Sequence, residues 1–131
     1  MAHATAHIGP DLLETRIQAG HHPILADEPP SNGGQDAGPA PYDLLLAALG
    51  ACTAMTLRMY ADRKGWRIEA LDVDLRIVGV PEARHIKRTL TIAGPDAAGR
   101  ARLAEIAERT PVTLTLKQGI AIETQLAEQT A

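Results

Sequence analysis

The sequence predicts an α+β domain, and three observations carry that prediction. Residues 68–80 alternate, with Leu71, Val73, Leu75 and Ile77 on one side and Asp72, Asp74 and Arg76 on the other, the period of a half-buried strand. Residues 85–93 repeat the pattern through Ile86, Leu90 and Ile92, spoiled only by Arg88. The link between them is short, which favours antiparallel pairing with one wet face. Around them lie a helix over 42–64 that is apolar on every side and an amphipathic one over 96–109. Strands grouped apart from helices, without regular alternation, define the class.

Taken in order, residues 1–10 hold His3 and His7 among small side chains and close on Pro10, so they read as a flexible terminus. Residues 11–131 form one domain, since 131 residues leave no room for a second core. Strands are expected over 13–18 and 23–26, joined as a hairpin by Ala19-Gly20. Residues 27–41 carry four prolines and three glycines, which excludes regular structure and suggests a lid, a binding loop or a mobile segment. Pro41 opens the long helix and Gly65 closes it. A helix apolar all round must be surrounded by protein, and a few strands cannot cover it, so a second copy of the chain is expected on its remaining face. Asp96 caps the next helix; Thr110-Pro111 interrupts it, a further turn follows over 112–117, and Ile120, Ile122, Thr124 and Leu126 predict a closing strand.

Composition excludes several functions. Thirteen basic against sixteen acidic residues leave a net charge of −3, without the basic surface of a phosphate-backbone binder. With no Phe, one Trp and two Tyr, there is no stacking platform for single-stranded nucleic acid. The apolar run at 44–57 is shorter than the roughly 20 residues of a membrane span. No partner nucleic acid or membrane is therefore expected. One cysteine, Cys52, rules out an intrachain disulfide and a cysteine-rich zinc site and suits a reducing, cytoplasmic setting. The paired His21 and His22 read as exposed polar residues in a hairpin rather than as a metal site with Asp27 and Glu28, and neither a metal nor another cofactor is expected. Arg84, His85, Lys87 and Arg88 read as a solvated strand edge.

Cys52 lies inside the long helix. A free cysteine there is commonly a small core residue, whereas a reactive one needs a cation or hydrogen-bond donor beside its thiolate. No basic residue occurs between positions 42 and 57, so an activator must come from another segment or subunit.

The stretch His22-Pro23-Ile24-Leu25-Ala26-Asp27-Glu28-Pro29, then Gly33-Gly34, then Gly38-Pro39-Ala40-Pro41-Tyr42-Asp43-Leu44-Leu45-Leu46 and Gly50-Ala51-Cys52-Thr53-Ala54-Met55-Thr56 resembles the OsmC/Ohr family. The similarity continues at Arg63-Lys64-Gly65-Trp66 and Arg109-Thr110-Pro111-Val112 and spans about 20–126. It implies an OsmC-like fold, antiparallel strands wrapped around a buried central helix, in an intertwined homodimer with active sites at the subunit interface. In the family's peroxidases a helix cysteine attacks the hydroperoxide and becomes a sulfenic acid. A second cysteine condenses with it, dithiols reduce the disulfide, and an arginine and a glutamate assist.

Cys52 matches the attacking position, but the second cysteine is replaced by Thr110. A hydroxyl forms no disulfide, so an external thiol must regenerate an oxidised Cys52. The assisting glutamate's place is taken by Tyr42, with Asp43 one residue on; nine steps from Cys52 put Asp43 about 180° round a regular helix. Arg16, the only arginine before the helix, is the candidate assisting arginine. Leu45, Met55 and Met59, with Tyr42 and His22, are the expected substrate-binding residues. An apolar wall would favour alkyl hydroperoxides by about 0.8 kcal/mol per buried methylene, with His22 as the candidate cation. The expected function is thiol-dependent reduction of organic hydroperoxides by a single-cysteine peroxidase of the oxidative stress response. The alternative is a non-enzymatic member of the fold that binds an apolar small molecule at the dimer interface.

Overall fold

The computed structural model describes residues 1–128; the last three residues assigned to the domain lie outside these. The chain divides into two compact units, Met1–Ala48 and a second beginning at Leu49, where a single domain was expected.

In the first unit, β1 (Ala4–Ile8), β2 (Thr15–Ala19) and β3 (His22–Ala26) form an antiparallel sheet in the order β1-β2-β3. The hairpin between β2 and β3 is as expected, with Ala19 opposite His22 across a two-residue loop. The expected flexible start is corrected by β1, whose Ala4–Ile8 pairs in register with Ala19–Thr15. Its side chains are all exposed, so backbone pairing alone makes it a strand and no apolar alternation betrays it.

The loop at 27–40 contains one short 3-10 turn, Pro30–Asn32, and is otherwise irregular; Pro41, expected at its end, already belongs to the helix that follows. It is organised by Asp27, a buried residue. Its Oδ1 accepts from Glu28 N at 2.8 Å, and its Oδ2 accepts from Gln35 N and Ala37 N, both at 3.1 Å. Those amides, that of Ala37 foremost, hold the Asp27 carboxyl below its ordinary range against the opposing effect of burial. Gly34 lets the loop fold this tightly, because a Cβ there would overlap the Glu28 carbonyl.

The boundary between the units falls within α1 (Pro41–Lys64). At its end Gly65 takes a positive φ of 72°, and Trp66 N donates to Ala61 O at 2.8 Å, the left-handed stop expected of glycine. The row Leu49, Thr53, Leu57 and Ala61 is buried, four residues apart on one face. Another face of α1, where a second copy of the chain was expected, is open: Met55 and Met59 are 64% and 55% exposed. By length and composition α1 could also cross a membrane, which the shorter run 44–57 did not suggest; its buried row instead packs into a protein core.

That core belongs to the second unit. Leu57, Ala61, Ile68, Leu103 and Ala107 form it, flanked by Tyr60, Trp66, Leu71, Leu90, Ile92 and Ile106. β4 (Ala70–Val78) and β5 (His85–Ala93) pair antiparallel, as their alternation predicts. Asp96 caps α2 (Ala97–Ala107) by accepting from Gly99 N at 2.8 Å. α3 (Pro111–Gln118) follows Thr110. The closing strand is corrected: residues 119–128 have no regular structure and are exposed, Ile122 by 88% and Leu126 by 99%. A strand needs a neighbour's hydrogen bonds, and this alternating segment pairs with no strand among the described residues.

Candidate active site around Cys52

Cys52 sits one residue before the buried Thr53 on α1 and is itself half-buried. Its Sγ lies 3.9 Å from Thr56 Oγ1 and accepts a hydrogen bond from Val112 N at 3.5 Å. The donor is supplied by the start of α3. Pro111 occupies the first position of that helix and has no N–H. Val112 therefore presents the first unpaired amide of the helix, and it is aimed at sulfur. The donor to this sulfur thus comes from another segment and is a backbone amide, not a cation.

The start of α3 is held by hydroxyls and one arginine. Arg88, read from sequence as part of a solvated edge, is corrected: its side chain is only 11% exposed and turns inward from β5. Nη1 donates to Thr53 Oγ1 and Thr113 Oγ1, each at 2.9 Å. Nη2 donates to Ala107 O at 2.9 Å and to Glu108 Oε2 at 3.0 Å. Thr53 spends its own proton on Leu49 O at 2.7 Å, which leaves its oxygen to accept from Arg88. Thr113 donates to Ala107 O at 3.2 Å and meets Thr110 Oγ1 at 2.6 Å. With its proton so used, Thr113 accepts from Thr110. Glu108 is held below its ordinary carboxyl range by hydrogen bonds from Lys117 first and Arg88 second. The sequence signal for Arg88 was its charge on the apolar face of β5. Val112 acts through its backbone and has no side-chain signal.

A groove of about 620 Å³ opens beside this network, lined among others by Leu49, Ile86, Arg88, Glu108, Thr113 and Leu116. The Cys52 thiol is not part of its lining. Of the expected pocket residues, Met55, Met59 and Tyr42 are exposed, Leu45 is half-buried, and His22 is exposed with its ring 4.6 Å from that of His21. Asp43 is exposed and accepts from Ala40 N at 3.2 Å, at the start of α1. Arg16 is an exposed residue of β2, opposite His7 and Leu25. Thr110, at the expected second-cysteine position, is fully buried.

The family described as OsmC-like protein matches residues 33–125. The chain belongs to the OsmC family. None of the curated proteins matches it. Among solved structures, an OsmC-like protein from Mycoplasma pneumoniae is similar at 20% identity, covering 89% of this chain and 87% of that one, with a TM-score of 0.76. The organic hydroperoxide resistance protein OsmC from Legionella pneumophila is also 20% identical, over 89% of each chain, with a TM-score of 0.66. The organic hydroperoxide resistance protein OhrB of Bacillus subtilis is 20% identical over 88% of this chain and 90% of that one, at a TM-score of 0.62. At such identities the likeness is one of fold, and it establishes the OsmC-like α+β architecture.

Proposed function

We propose that this OsmC-family chain reduces organic hydroperoxides through Cys52 in the oxidative stress response and draws its electrons from an external thiol. The observation that carries the reading is the Val112 amide on a half-buried sulfur. Negative charge on that sulfur meets the positive end of α3, a favourable dipole interaction. Relatives of the same fold are named for organic hydroperoxide resistance.

The thiolate attacks the outer peroxide oxygen, the O–O bond breaks, and the alkoxide takes a proton from solvent and leaves as the alcohol. Sulfur is oxidised to a sulfenic acid. One molecule of thiol attacks it and releases water, giving a mixed disulfide; a second releases Cys52 and departs as the disulfide. Thr110 cannot replace the external thiol, which suits the reducing cytoplasm. Met55 and Met59, three and seven residues on from Cys52 along α1, contact the substrate.

The working form is an intertwined homodimer. Exposed Met55 and Met59 on α1 and the unpaired alternation of residues 120–126 supply the apolar surface that a second copy would cover. Light scattering checks this; a monomer at micromolar concentration removes it.

The deciding experiment adds stoichiometric cumene hydroperoxide to the reduced protein and follows it by mass spectrometry. One oxygen gained on Cys52 within seconds is expected, and Cys52→Ser abolishes peroxide consumption. An inert thiol overturns the enzyme reading and leaves the binding of an apolar small molecule at the dimer interface.

A further inference from the structure

We propose that Arg88 is the positioning residue of the Cys52 site, because one guanidinium nitrogen ties together the chain neighbours of both partners in the sulfur–amide contact. This rests on the reading of Cys52 as the reacting thiol.

The contact joins residue 52 to residue 112. Arg88 Nη1 joins Thr53 to Thr113, the next residue along each helix, with 2.9 Å to either hydroxyl. One nitrogen thereby sets the spacing of α1 and α3 beside the thiol. Nη2 adds the Ala107 carbonyl at 2.9 Å, so the end of α2 is fixed to the same group. Thr113 bonds that same carbonyl and receives the Thr110 hydroxyl, which clamps the turn from α2 into α3. A planar guanidinium can serve several acceptors in a fixed geometry; an ammonium lacks that fork.

Arg88 does not touch sulfur in this arrangement, and it acts through the two threonines. Without it, Thr53 and Thr113 lose a shared donor and the Val112 amide is free to drift from Sγ. Displacements of about 1 Å at a reacting centre cost up to about a hundredfold in rate.

The test uses the full chain with Arg88→Met, Arg88→Lys and Thr113→Val. Three readouts are taken: the Val112 amide proton resonance, alkylation of Cys52 by iodoacetamide at neutral pH, and kcat and KM for cumene hydroperoxide. R88M and T113V are expected to keep the far-ultraviolet dichroism of the parent while the Val112 resonance moves upfield. Alkylation slows about tenfold, and kcat falls with KM unchanged. R88K recovers part of each loss. Should R88M fail to fold, T113V, which removes one hydroxyl, decides alone. Parental Val112 resonance and alkylation rate in the folded R88M and T113V variants overturn the proposal. The resonance and alkylation readouts involve no peroxide. A parent protein inert to cumene hydroperoxide therefore defeats the proposed activity and leaves the positioning role to be judged by those two measurements.

Discussion

Asp27 in the first unit and Arg88 in the second are both charged side chains largely withdrawn from water, and they solve that problem in opposite ways. The anion gathers three amides, from positions 28, 35 and 37, none more than ten residues away. The cation gathers oxygens from positions 53, 107, 108 and 113, between 19 and 35 residues away. A charge satisfied by its own loop shapes that loop. One satisfied by distant segments makes those segments depend on one another. The two should therefore fail differently: Asp27 locally, Arg88 through its whole unit.

The largest effect is expected from Arg88→Met, which leaves two threonine hydroxyls and a carbonyl short of a donor. It should destabilise the second unit by about 2–4 kcal/mol, measured by thermal unfolding followed by circular dichroism. A loss no larger than that of an exposed substitution would dissolve the contrast.

Next, Asp27→Asn turns one accepting oxygen into a donor facing backbone amides. Hydrogen exchange at Gln35 and Ala37 should rise about tenfold or more, while the melting transition moves less than in R88M. A large shift of the whole transition would show that the loop is not a local device.

Acid sharpens the comparison further. Both Asp27 and Glu108 have folded carboxyl pKa values below their ordinary ones, near 3.8 and 4.5 respectively. The stability each contributes is present above the ordinary value and is lost as pH falls through the folded one. Protection of the Ala37 amide, referred to its intrinsic exchange rate at each pH, should fall on acidification below about pH 3.8, and this response should be absent in D27N.

The smallest effect belongs to Glu108→Gln. Its carboxylate pairs with Arg88 at 3.0 Å and Lys117 at 3.1 Å but is 62% exposed, so solvent screening limits the loss to about 1 kcal/mol or less. Added salt should shrink the difference between E108Q and the parent in melts at neutral pH.

Elements that declare themselves by periodicity were legible from sequence. α1 and the β4–β5 pair follow from side-chain patterns, and Asp96 announced α2. β1 was not, because Ala4-Thr5-Ala6-His7-Ile8 has no buried face and exists through its ladder with β2. Residues 120–126 show the converse: their alternation was legible, yet alternation without a neighbouring ladder makes no strand. At the site, Cys52 stood out by its motif. Arg88 was visible only as a flaw in the apolar face of β5, since its meaning depends on where Thr53, Ala107 and Thr113 meet in space. Val112 was invisible because an amide N–H is common to every residue but proline.

Trp66, the only tryptophan, stands edge-on to Tyr60 with ring centroids 5.9 Å apart, beside the core around Leu57. Its fluorescence consequently reports on the core of the second unit. Tyr42 is the single Tyr or Trp of residues 1–48, so near-ultraviolet absorption from that unit comes from it.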